Sequence, residues 1–189
     1  MRQRFVAVLL MLLALAASAQ IHDKPAKKTI FIDIDEFESH SVSEGAKLAT
    51  AIVRVRTISS RIVTATRSNG DIRPSTEHRC EILDIYKDDP AHALRVGEEI
   101  PILQNAGVYE TPEVRYVIGD DLPFHTGDEL VLFLSWNRAF LAHEAWKQLQ
   151  FRVTGDRIEP MHRSTHEEQF RGLKLERLAN AVRGLSHRQ

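Results

Sequence analysis

The hydrophobic pattern is densest at Leu130-Val131-Leu132-Phe133-Leu134, an unbroken apolar run entered through a Gly127-Asp128 turn. In an extended strand Val131 and Phe133 point to one side, and Leu130, Leu132, Leu134 and Trp136 to the other. A strand apolar on both sides is covered on both sides. The run therefore predicts a central strand over residues 128–135, with a barrel core on one face and a helix on the other.

Shorter alternating segments precede it. Thr29 to Asp35 alternates in part and predicts a first strand. Ser41-Val42-Ser43-Glu44 has capping-box spacing, so a short helix should run from there to about Thr50. Ala51 to Ile58 is β-branched, with Val53 and Val55 on one face and Arg54 and Arg56 on the other. That strand should bend at Ser59-Ser60 and continue through Thr64. Asn69-Gly70-Asp71 then signals a hairpin, because both turn positions tolerate positive φ. Pro74 is expected to keep the far side of the turn irregular.

The return strand is placed at Glu77 to Lys87, with Cys80, Ile82 and Tyr86 on one face and Leu83 and Ile85 on the other. Asp88-Asp89-Pro90 ends it. Glu99 to Gln104 is a further strand, demoted to an edge or a bulge by Pro101, which has no ladder donor. Asn105 to Pro112 reads as a loop carrying Tyr109, and Val114 to Ile118 as a fourth strand. Beyond Trp136, residues 139–146 are ambiguous between helix and loop. Leu149 to Val153 and Arg157 to Glu159 form a closing hairpin about Gly155-Asp156, stopped by Pro160.

Near the C-terminus, Phe170, Leu173, Leu178, Ala181, Val182 and Leu185 recur at three- and four-residue spacing, as one apolar stripe. Capping residues at Ser164 or Thr165 and acids at Glu167 and Glu168 suit a helix start, and the basic residues beyond Arg183 suit its end. The pattern predicts an amphipathic helix over 165–186, covering the outer face of the 128–135 strand. The fold class expected is mainly β: a small OB-like barrel of five to seven strands with a short N-terminal helix and this C-terminal one.

The N-terminus has a different character. Arg2 and Arg4 precede an apolar run from Phe5 to Ala17, and Ala17-Ser18-Ala19 is a small-x-small cleavage site. That order reads as a secretory signal peptide over 1–19. The run falls short of the ~20 residues needed to span a bilayer. Residues 20–28, polar and lysine-rich, read as a flexible leader, and 29–189 as a single domain. The formal charge is −1, and cleavage removes two arginines. No basic excess is left to hold a nucleic-acid backbone. Cys80 is the single cysteine, so an internal disulfide is impossible. This usage fits a bacterial periplasmic or extracellular protein, with Cys80 buried as a small hydrophobe.

The order Ala51 to Val55, Glu81 to Lys87, Val96 to Ile100, Thr126 to Leu134 and the hairpin over 151–160 resembles a group of bacterial exported proteins. These are similar in turn to the netrin-like modules of tissue inhibitors of metalloproteinases. The resemblance is architectural and spans roughly residues 48–160. It implies a five-stranded OB-type barrel with packed helices. The chain departs from the pattern where Asp88-Asp89 follows Lys87, in place of glycine. The inhibitor modules also depend on an N-terminal cysteine and several disulfides, which Gln20 and a lone Cys80 do not supply. Proteinase inhibition is therefore not implied.

Motifs for chemistry are sparse. Asp33, Asp35, Glu36 and Glu38 lack the glycine and terminal glutamate of an EF-hand loop and read as a solvated acidic edge. His162 and His166 are four apart, but Arg163 stands where a zinc protease has glutamate. His143-Glu144 and His166-Glu167 have no second histidine at ligand spacing. Gly-x-Ser-x-Gly, phosphate-loop and dinucleotide signatures do not occur. The reading is a non-enzymatic binding or structural domain without cofactor, monomeric, whose partner is an envelope protein or a small ligand. Tyr109 and Trp136 are the candidate partner contacts. The alternative is a metal-assisted hydrolase using His162 and His166.

Overall fold

The computed structural model describes residues 27–32, 41–66, 72–119, 123–162 and 168–186, without the side chains of residues 72, 73, 118, 185 and 186. The expected signal peptide, most of the expected leader, the acidic cluster at 33–38, the turn expected at Asn69-Gly70-Asp71, the expected cap at 164–167 and His166 lie outside them. The elements are β1 (Lys28–Ile32), α1 (Val42–Leu48), β2 (Ala51–Thr66), β3 (Ile72–Lys87), β4 (Glu99–Gln104), β5 (Gly107–Glu110), β6 (Val114–Ile118), β7 (Glu129–Asn137), β8 (Ala142–Thr154), β9 (Arg157–Pro160) and α2 (Leu175–Ser186).

Five of the strands close a barrel. Their order is β4-β3-β2-β7-β8, and β8 returns to pair with β4, with β9 added beside β8. All barrel pairings are antiparallel except β4 with β8, which is parallel at Ile102 and His143. This is the small OB-type barrel expected. Among the described residues no helix is long and apolar enough to cross a membrane.

β7 sits between β2 and β8 and is covered on both sides, as its apolar run requires. Leu130, Leu132 and Leu134 join Val53, Val55, Cys80, Ile82, Ile100 and Ile102 in the barrel interior. Val131 and Phe133 face outward into a second cluster with Val42 and Ala46 of α1 and Leu178, Ala179 and Val182 of α2. The capping box of α1 is formed: the Glu44 amide donates to Ser41 Oγ and the Ser41 amide to Glu44 Oε2. Gly45 is required within α1, because a Cβ there would collide with Leu149 Cδ1 and crowd Phe133. Lys87 Nζ fastens the other end of α1, donating to the carbonyls of Ala46, Lys47 and Ala49.

Several sequence expectations are corrected. Pro74 does not break the hairpin; β3 already begins at Ile72, and Pro74 pairs with Thr64. Tyr86 does not share a face with Cys80 and Ile82. The β2–β3 register slips at Leu83 and again at Tyr86. Each bulge adds one residue and breaks the two-residue alternation. Ile85 consequently packs with Cys80 and Ile82, and Tyr86 turns to the helical side.

β4 is not an edge, since its parallel pairing with β8 closes the barrel; Pro101 sits where β4 pairs β3 alone. The segment 105–112 contains β5. It forms with β6 and β1 a separate three-stranded sheet, so residues 114–118 are not a barrel strand. Residues 142–146, ambiguous in sequence, open β8. An irregularity over 146–149, with Leu149 at φ 64, divides that strand. Its first half closes on β4 and its second half carries β9. The C-terminal helix is not continuous over the expected span: α2 runs Leu175–Ser186, residues 169–173 before it are not helical, and the expected start at 165 lies outside the described residues. Gly172, at φ 69, turns the backbone out of helical conformation, and Phe170 and Leu173 reach the core from the turn before it.

Candidate functional site

The parallel closure of the barrel brings three segments to one end of it. The first is the turn after β3. Asp88 Oδ1 accepts from the amides of Asp89 and Leu94, and Asp89 Oδ1 accepts from the amide of Ala91. These bonds curl residues 88–94 tightly and set His92 with Nδ1 3.1 Å from Asp89 Oδ2. The second segment is the end of β7, where Trp136 continues the inward face of Leu134. The third is the start of β8, where His143 lies directly across from Trp136.

The rings form one aromatic group. His92 stacks on Trp136 at 3.5 Å between centroids, with 13° between planes. His143 meets Trp136 edge-on at 5.2 Å and His92 edge-on at 6.1 Å. Beside them opens a cavity of about 230 Å³, lined also by Leu94, Ile100, Pro101 and Leu141. Apart from the two histidines its walls are apolar or aromatic.

His143 is the unusual member. It is 3% exposed, and among the described residues neither of its ring nitrogens has a hydrogen-bond partner. Burial lowers its pKa, only partly opposed by the charge of Asp89, so the ring is neutral at neutral pH. A neutral imidazole has one donor and one acceptor to satisfy. Leaving such groups unpaired in the interior costs about 1–3 kcal/mol each. Burial by itself would raise the Asp89 pKa. The Ala91 amide and His92 reverse that and hold it below the usual carboxylate value.

A second polar chain lies in the barrel wall. His78 is fully buried; its Nδ1 is 2.7 Å from Ser60 Oγ and its Nε2 is 3.2 Å from Gln104 Oε1. Gln104 Oε1 also accepts from the Phe124 amide, so it is the acceptor and His78 Nε2 carries the hydrogen. Nδ1 then accepts from the Ser60 hydroxyl. The order is that of nucleophile, base and orienting group. The electrostatics are not. Gln104 carries no charge, and burial pulls His78 down to about 4, so the imidazolium a general base must become is disfavoured. The chain satisfies a buried histidine. Ser60 opens onto a cleft of about 420 Å³ whose cations, Arg61 and Arg79, are already paired with Glu77 and Glu99.

Of the residues singled out in sequence, Trp136 lines the smaller cavity. Tyr109 is in β5, its ring 5.8 Å from that of Tyr116, and lines neither cavity. His162 is half-buried after β9, and the described residues do not include His166. Among the described residues no three His, Cys, Asp or Glu side chains gather as metal ligands. Cys80 is fully buried and its thiol is pushed up to about 12 by burial, consistent with a packing role. His92, His143, Asp89 and Leu141 carried no sequence signal of a site, because distant segments assemble it. No protein-family model matches this sequence, and a search of curated proteins finds no match either.

Proposed function

We propose that the chain is an exported, non-catalytic barrel of the bacterial envelope that binds a partner protein at the end formed by His92, Trp136 and His143. The observation that carries this reading is the cavity at this end of the barrel, walled by apolar and aromatic side chains, with the stacked His92 and the unpartnered, buried His143 in its wall. A concave, mostly apolar pocket with a few polar side chains is the usual form of a binding site. Leu141 supports a macromolecular partner. It is 73% exposed on the lip of the cavity, and its backbone sits at φ 51. A mostly exposed leucine in the left-handed region costs backbone stability and gains little from packing within this chain. Export rests on the sequence of residues 1–19.

A photocrosslinking residue placed at position 141 tests the reading in cells that export the protein. A discrete adduct that disappears with Trp136→Ala is expected, whereas a crosslinker at Tyr109 should give none. Equal adducts from both positions would mean that this end of the barrel is not a specific interface.

A further inference from the structure

Beyond the barrel, β2 and β3 run on as a two-stranded arm, and one edge of that arm is open. β2 pairs with β7 only over residues 51–56. Thr57 makes the last bonds on that side, its amide donating to the Asp128 carbonyl and its carbonyl accepting from the Gly127 amide. From Ser60 to Thr66, among the described residues, no backbone group bonds to this edge. On the inner side Thr64 pairs with Pro74. Proline has no amide hydrogen, so the ladder bonds to β3 fall on Arg61, Val63 and Ala65. The amides and carbonyls of Ser60, Ile62, Thr64 and Thr66 therefore point outward. We infer that this edge is a homodimer interface, in which Ser60–Thr66 pairs antiparallel with the same segment of a second copy about a twofold axis at Val63.

Open edges are usually blunted by lysine, proline or a covering segment. β1 carries Lys28, and the backbone of Gly172 and Leu173 covers β9 at Ile158. The β2 edge has none of these. Its one charge, Arg61, is drawn across to Glu77 of β3, with Nε 2.7 Å from Oε1. Ile62, in the middle of the segment, is left 39% exposed.

Self-complementarity selects a second copy over an unrelated strand. A twofold interface sets each residue against its mirror position. About Val63, Ile62 meets the partner's Thr64, Ser60 meets the partner's Thr66, Arg61 meets the partner's Ala65, and Val63 meets itself. β-branched residues oppose β-branched ones, hydroxyl opposes hydroxyl, and no like charges face each other. An axis at Arg61 would set two arginines together. The pairing uses none of His92, Trp136 and His143, so it stands or falls apart from the binding reading.

The test is sedimentation of the exported full chain over a range of concentrations. Twice the monomer mass is expected at high concentration, falling to the monomer on dilution. Val63→Lys sets two ammonium groups opposite each other and should weaken the dimer about tenfold or more, with an unchanged circular dichroism spectrum. Val63 and its counterpart form a non-hydrogen-bonded pair, with Cα atoms about 4.5 Å apart, within reach of a disulfide. Val63→Cys should therefore give a covalent dimer on mild oxidation. Arg61→Cys, which faces alanine rather than its own counterpart, should give none, and neither should the wild type, whose Cys80 is buried. If Val63→Lys does not fold, the comparison of the two cysteine variants decides. A wild type that stays monomeric at every concentration would overturn the proposal, even if the edge captures a foreign strand. A dimer that survives Val63→Lys, or that crosslinks as readily through Arg61→Cys as through Val63→Cys, would overturn this edge and register.

Discussion

The imidazole of His92 lies flat against the indole of Trp136, 3.5 Å from centroid to centroid, though one residue belongs to a turn and the other to a barrel strand. The contact fixes the turn to the barrel end. Asp89 orients the imidazole from behind, and Trp136 provides the surface beneath it. Aromatic pairs of this kind contribute about 0.5–1.5 kcal/mol beyond area burial. His92→Ala and Trp136→Ala should therefore be non-additive, with a coupling of about 1 kcal/mol in a double-mutant cycle read by urea unfolding. Additive losses would show that the stack is incidental.

Stability should depend on pH through buried imidazoles. An unfolded histidine titrates near 6.5, whereas His78 in the fold titrates at about 4. Between these values the unfolded chain binds a proton that the folded chain excludes. Stability from this source is complete above about pH 6.5 and falls as pH drops toward 4. The shift corresponds to a loss of about 3 kcal/mol. His143, also lowered by burial, adds to the loss in the same direction. The urea midpoint should decline through this window and do so less steeply in His78→Gln. A midpoint unchanged between pH 7 and 4.5 would contradict the assignment.

Leu178 of α2 is fully buried in the cluster that also takes Phe133 of β7. A carboxylate there would be buried without a partner. Leu178→Asp should destabilise the domain by at least about 3 kcal/mol, in one cooperative transition monitored by both helical and aromatic circular dichroism. Separate transitions, with the aromatic signal unmoved, would mean that α2 is not integral to the core.

How much of this was legible in sequence follows from how local each signal is. The Leu130–Leu134 run and its two covered faces depend only on strand alternation, and the Ser41–Glu44 box only on helix geometry. Both appear as expected. The face of Tyr86 was not legible, because bulges at Leu83 and Tyr86 reset the alternation without a compositional mark. Pro101 read as an edge residue, yet β4 closes the barrel by a short parallel pairing just beyond it. Trp136 was singled out as an aromatic at a strand end. His92 and His143 were not, since the site joins a turn, a strand end and a strand start that only the barrel closure brings together.

Two leucines with left-handed backbone separate strain from burial. Leu141 has φ 51 and Leu149 has φ 64. Leu149 is fully buried in the cluster beneath α1, so its packing offsets the backbone cost. Leu141 is mostly exposed and has little such compensation. Asparagine tolerates this conformation better than leucine, by about 1 kcal/mol. Leu141→Asn should raise the unfolding free energy by about 0.5–1 kcal/mol, and Leu149→Asn should lower it by about 3 kcal/mol or more. Chemical denaturation of the two variants under one set of conditions reads both signs. A stabilised Leu141→Asn protein that also binds its partner less well would show stability given up at the lip of the pocket for contact. A destabilised one would mean that Leu141 packs within its own chain, and would remove it from the binding surface.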